Sequence, residues 1–241
     1  MAAYWEICIF GDNEDLQLVV GVCSDESWEI RKKDEMFYLR LTKKPAEEPH
    51  AAHERAIRRL TNINALSRLR FPGYGKLVAG NAVNEVASDG NCSVNILCQP
   101  AKIQLRTFPA TIQIGNDVIL PSDGLAELAN IAEYDKVLEK VLRLRNSEAL
   151  EWVDLYRIFE VIESDVGKNR CTNNGWIANE DLKLFKHTAN SVEAAGDMAR
   201  HGKEPNKPPK NPMQLQDART IIDDLINHWL IWKSQTNKVL K

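Results

Sequence analysis

The first half of the chain contains several short β-rich stretches, and in the first of them hydrophobic and polar residues alternate with a period of two. This is the pattern of β-strands that are buried on one face. Polar turn residues separate these stretches, as at Ser88–Asn91. The β-rich stretches before the long helix are Tyr4–Phe10, Trp28–Arg31 and Met36–Leu41, and two or three more strands follow it, among Lys76–Val86, Ser93–Cys98 and Lys102–Thr107. We therefore predict a sheet in this half of the chain.

One long helix interrupts the predicted strands. Between Pro49 and Arg70, apolar residues recur at steps of three and four, which is the spacing of a helix with one buried face. The apolar positions of this stripe are Ala56, Leu60, Ile63 and Leu66. The sequence Phe71–Gly75, with its proline and glycines, ends the helix. A short helix is also predicted around Glu14–Val20.

The second half of the chain has the helical period almost throughout. The clearest helix is the last one, in which apolar residues from Leu215 to Trp232 step by three or four. Before it, the four prolines of Gly202–Pro212 exclude a helix. The predicted helices are Leu125–Arg145, Leu150–Val166, Asn179–Arg200 and Leu215–Lys238.

These elements predict an α+β protein in which a mixed sheet with one long helix precedes an all-α helical bundle. The period changes between residues 108 and 122, so we place the domain boundary there. Residues 1–115 form an accessory or sensor domain in this prediction, and residues 122–241 form the helical domain.

Composition limits the function classes. The 241 residues include 31 Lys and Arg against 34 Asp and Glu, a net charge of −3, which is unlike that of a chain-wide nucleic-acid binder. Five cysteines without a CxxC pair favour a reducing, cytoplasmic location over a disulfide framework. No apolar run is long enough to cross a membrane. We expect neither a metal nor a cofactor.

The positive charge is concentrated in residues 29–70, which carry eleven bases against six acids. On the predicted helix, four polar residues share one face: Arg55, Arg58, Arg59 and Asn62. Guanidinium groups in this arrangement can bind the phosphates of RNA or DNA. An ordinary solvated helix face explains the same pattern equally well.

A second polar stripe lies on the predicted helix Asn179–Arg200. At 100° per residue, its polar positions align opposite the apolar face: His187, Asn190, Asp197 and His201. Such a stripe can carry acid–base chemistry or bind a polar ligand. The alternative is that Arg200 and His201 cap the C-terminus of the helix, where cations meet free carbonyl groups.

The second half resembles the HEPN-like helical domains of bacteria, which include those of abortive-infection and other anti-phage proteins. The resemblance rests on Tyr156–Glu163, Phe185–Asn190, Ala199–Gly202, Asn211–Ala218 and the closing helix. It implies an endoribonuclease that acts as a dimer without a metal. In such a site a histidine moves the proton of the ribose hydroxyl and an arginine stabilises the charged phosphorane.

The resemblance places Arg200 and His201 in those roles. It does not assign His187, which we add as a further catalytic candidate. In the family motif the histidine follows the arginine by four to six residues, whereas Arg200 and His201 are adjacent. We therefore rank a binding protein of a bacterial defence system first. It would bind nucleic acid or a protein encoded in the same operon. A ribonuclease effector and a purely structural, homo-oligomeric subunit are the alternatives.

Overall fold

A computed structural model describes residues 2–20, 23–71, 73–97, 125–147, 149–200 and 208–239. It divides the chain into two compact units, residues 1–130 and 131–241, which we call the N-terminal unit and the helical unit. The predicted α+β class, with a helical second half, is confirmed. The predicted boundary at 115–122 and the predicted strand Lys102–Thr107 lie outside the described residues.

The N-terminal unit contains a six-stranded sheet with the order β2-β3-β4-β1-β5-β6. Its described strand pairs are all antiparallel, whereas we predicted a mixed sheet. Short turns join β3 to β4 and β5 to β6, and such turns connect antiparallel strands. The strands are β1 Tyr4–Phe10, β2 Ser24–Asp25, β3 Trp28–Lys33, β4 Met36–Thr42, β5 Val78–Val86 and β6 Cys92–Ile96.

One face of the sheet forms the core of this unit. On β1, Trp5, Ile7 and Ile9 are buried and lie opposite buried residues of β4. Helix α2 (Pro49–Arg70) packs on this inner face, as predicted, and a short helix α1 (Asn13–Val19) precedes β2. The alternate residues of β1 therefore point to the outer face of the sheet.

The helical unit is built from short and long helices, and its largest buried side chains include Phe159, Phe185 and Trp229. No described helix of the protein is long and apolar enough to span a membrane. The helices after α2 are α3 Leu125–Tyr134, which begins in the N-terminal unit, α4 Lys136–Arg145, α5 Trp152–Val166, α6 Arg170–Asn173, α7 Asn179–Ala189, α8 Val192–Ala195 and α9 Leu215–Val239.

Two predicted helices are wrong because polar residues cap a new helix inside each of them. The predicted helix Leu125–Arg145 is interrupted at Asp135, whose carboxylate accepts hydrogen bonds from the first amides of α4. The predicted helix Asn179–Arg200 ends at Ala189. Ser191 then caps α8, and Gly196 turns the chain with a φ of 64°.

Candidate functional site

The four polar residues predicted on α2 do not form an exposed basic face. Arg55, Arg59 and Asn62 are buried, and only Arg58 of this set is exposed. The reason is geometric. Around the helix axis, the centre of this polar set lies about 100° from the centre of the apolar stripe, so the two sets are not on opposite faces. The buried side of the helix therefore includes Arg55, Arg59 and Asn62 as well as the apolar stripe, and Arg58 lies on the exposed side.

The two buried arginines bind groups of the N-terminal unit. Arg55 donates hydrogen bonds to the Glu47 carboxylate at 2.8 Å and to the Thr42 carbonyl at 2.9 Å. Arg59 donates to Asn130 at 2.6 Å, and its guanidinium lies 4.4 Å from the centre of the Trp28 ring. Both side chains thus have structural partners, and neither presents its charge to a phosphate.

Other bases of residues 29–70 are also paired within the fold. Arg40 forms an ion pair with Glu29 at 2.9 Å and stacks on the Tyr4 ring at 3.9 Å. The side chains of Lys43 and Glu85 form an ion pair in direct contact. These bases therefore have carboxylate partners within the N-terminal unit.

The predicted stripe of two histidines, an amide and a carboxylate is not assembled on one helix. His187 lies on α7 and Asn190 at its C-terminal end, but Asp197 belongs to a separate 3₁₀ turn, Gly196–Met198. The Asn190 side chain donates to the Lys186 carbonyl at 2.8 Å. His201 lies outside the described residues.

Arg200 takes part in the packing of the helical unit. Its backbone N–H donates to the carbonyl of Ala189, the last residue of α7, at 2.9 Å. Its guanidinium donates to Glu160 at 2.6 Å and lies 4.3 Å from the centre of the Tyr156 ring. The backbone of Arg200 thus satisfies a terminal carbonyl of α7 while its side chain binds α5.

A groove of about 510 Å³ lies beside β2 and β3, and Arg40, Asp25 and Glu29 are among its lining residues. These charges have partners within the unit. Burial raises the pKa of Asp25, but hydrogen bonds from Ser27 and the nearby Arg59 charge outweigh it and hold the pKa below its usual range. Each of these three charged side chains already has a partner, so none of them indicates a bound ligand.

The feature that sequence reasoning missed is the edge of the sheet at β6. Hydrogen bonds join Ala87 to Asn91 and Asn81 to Leu97, one at each end of the β5–β6 pair. Because antiparallel pairs alternate between bonded and non-bonded positions, Ser93 and Asn95 bond to β5. The backbone N–H and C=O groups of Cys92, Val94 and Ile96 therefore point away from β5.

Among the described residues, which do not include residues 98–124, no strand lies beyond β6, and we call these six groups the free edge of the described sheet. The side chains of the same three residues lie on the outer face of the sheet, in register with Val86, Asn84 and Ala82 of β5. Val94 is 62% exposed and Ile96 is 74% exposed. The edge thus combines backbone groups that pair with no described strand and apolar side chains that are exposed.

The opposite edge of the sheet is built differently. Strand β2 has only two residues and carries the charged side chain of Asp25. Short, charged edges discourage the addition of another strand, whereas β6 contains neither a charged residue nor a proline. Of the two edges in the described sheet, only β6 is suited to accept a further strand.

Comparisons of the chain with known protein families, with characterised proteins and with solved structures find no match. The interpretation of the β6 edge therefore rests on the strand register and on the exposure of the side chains of β6. Within the described residues, no three side chains of His, Cys, Asp or Glu are placed to hold a metal ion.

Proposed function

We propose that this protein is a binding protein whose N-terminal unit captures an extended segment of a protein partner as an additional strand on β6. The observation that carries this proposal is the free edge at Cys92, Val94 and Ile96, with its outward backbone groups and exposed side chains. In strand addition, the main-chain hydrogen bonds supply affinity and alternate side chains supply specificity.

The chemistry of this surface favours a polypeptide partner over a nucleic acid. A single-stranded nucleic acid is bound by a basic groove in which aromatic rings stack with the bases. On the outer face, the Tyr4 ring is covered by Arg40, and Arg40 itself is paired with Glu29. This ring and this charge therefore have partners already.

A role in bacterial defence is part of the proposal and rests on the sequence resemblance of the helical half alone. The cytoplasm is the proposed location, because Cys8, Cys23, Cys92 and Cys171 are free thiols. Ribonuclease activity is the alternative that the same resemblance suggests. It receives no support from Arg200, whose guanidinium is engaged with Glu160 and Tyr156.

The proposal predicts saturable binding of a peptide with an uncharged, alternating centre: acetyl-Lys-Thr-Val-Thr-Val-Thr-Lys-amide, called the strand peptide below. Binding is measured by thermophoresis with the labelled full chain at nanomolar concentration. Val94→Pro is expected to weaken binding by roughly tenfold or more, since it removes an outward N–H donor and obstructs the edge. Edge positions whose N–H faces away from the sheet tolerate proline, so the fold is retained.

Ser93→Ala is the matched control, because Ser93 bonds to β5 and its side chain lies on the other face of the sheet. This variant is expected to bind the strand peptide like the wild type. Circular dichroism checks that both variants are folded. Equal binding by the wild type and Val94→Pro, or no binding at all, would show that β6 is not a strand-binding edge.

A further inference from the structure

We infer that the strand which adds to β6 is β6 of a second copy of this chain, paired antiparallel with Val94 opposite Val94 of the second copy. This inference rests on the proposed strand-binding function and names its partner. It describes a two-fold symmetric contact, in which the same surface is used by both copies.

The first argument comes from charge. In a two-fold antiparallel pair, the central residue lies opposite itself, and like charges placed directly opposite each other destabilise the pair. Residues 90–97 contain no charged side chain. Two copies of this edge can therefore approach each other without repulsion between their own strands.

The second argument comes from the hydrogen-bonding register. With Val94 at the two-fold axis, Cys92 of one copy lies opposite Ile96 of the other. The three residues whose N–H and C=O groups point outward then face each other, so each copy donates three hydrogen bonds and accepts three. Bonded antiparallel pairs place their Cα atoms about 5.5 Å apart. This register uses every free group of the described edge.

The third argument comes from the side chains. Cys92, Val94 and Ile96 all lie on the outer face, so pairing places the two Val94 side chains next to each other and each Ile96 beside a Cys92. Cross-strand neighbours of this kind are what stabilise a sheet. Val94 and Ile96 are both largely exposed in the single chain. The pairing therefore gives them apolar neighbours.

The test places a positive or a negative charge at position 94, which lies opposite itself in the proposed pair. The wild-type chain, Val94→Lys and Val94→Asp are each studied by sedimentation over a range of concentrations. We expect the wild type to dimerise and each variant to dissociate, with a dissociation constant higher by roughly tenfold or more, because like charges meet at the axis. An equimolar mixture of the two variants is expected to form the dimer again, since Lys then lies opposite Asp.

Several results would overturn the inference. One is a wild-type chain that remains monomeric while it binds the strand peptide, which leaves the proposed function in place and assigns the edge to another protein. A dimer that survives in both single variants, or that the mixture does not restore, also contradicts the register at Val94. Val94 is exposed, so both variants are expected to fold, and circular dichroism confirms this before sedimentation.

Discussion

Replacing Arg55 by alanine is expected to lower the free energy of unfolding of the N-terminal unit by about 3–5 kcal/mol. The side chains of Arg55 and Glu47 are each only 7% exposed, and they form an ion pair at 2.8 Å. Without the guanidinium, the Glu47 carboxylate is left buried with the Trp5 indole N–H as its remaining side-chain donor. An uncompensated buried charge is what makes such a change costly.

Arg58→Ala is the matched control, because Arg58 lies on the same helix but is exposed. It is expected to change the free energy of unfolding by no more than about 0.5 kcal/mol. Native-state hydrogen exchange of the slowest amides of β1 measures the stability of this unit separately. Similar effects of the two substitutions would mean that Arg55 is solvated, as in the sequence-based alternative of a solvated helix face.

The second large effect is expected for Lys233→Met in the helical unit. The Lys233 ammonium lies 2.6 Å from Asp135 and 3.1 Å from Asp165. The Asp165 carboxylate also accepts the indole N–H of Trp229 at 2.9 Å. Removal of the cation leaves two carboxylates facing each other, and we expect a loss of about 3 kcal/mol at pH 7. Exchange of the slowest amides of α5 and α9 measures it.

The loss should depend on pH in a defined direction. Burial raises the pKa of Asp135, but hydrogen bonds from Lys233 and from backbone amides outweigh it and hold the pKa below its usual range. The wild type therefore loses this stabilisation as the pH falls below about 4. In Lys233→Met, protonation instead relieves the repulsion, so the difference from the wild type narrows on acidification.

Lys136→Met is the control for this series, because Lys136 is exposed and pairs only with Glu139 in the described contacts. Its effect is expected to stay within about 0.5 kcal/mol at every pH. A difference between Lys233→Met and the wild type that stays constant from neutral to acidic pH would contradict the electrostatic explanation.

The sequence is sufficient to predict elements whose signals are local. Helix α2 has its predicted bounds because Pro49 fits the first turn and the sequence after Arg70 contains a proline and glycines. The strands β1 and β4 follow from their β-rich, alternating sequences, although β1 buries Glu6 as well as its apolar face. The α+β class follows from the strand period of two in the first half of the chain and the helical period in the second half.

Features that depend on distant residues could not be predicted. The burial of Arg59 depends on Asn130, which lies far along the chain. The break after Ala189 depends on the competition between one continuous helix and the caps at Ser191 and Gly196. The free edge at β6 follows from the order of strands in the sheet, which alternation within each strand does not specify.

The most direct test of the account is the amide exchange of Cys92, Val94 and Ile96 in the full chain, measured by NMR with and without saturating strand peptide. Conditions are chosen so that the chain is monomeric before the peptide is added. We predict rapid exchange of these three amides in the chain alone and exchange slower by about a hundredfold in the complex, because they then donate to the added strand. Ser93 and Asn95, which bond to β5, are expected to be protected in both states. Rapid exchange of the three amides in the presence of peptide, or slow exchange in the monomer without it, would contradict the claim that β6 is a free edge that binds a strand.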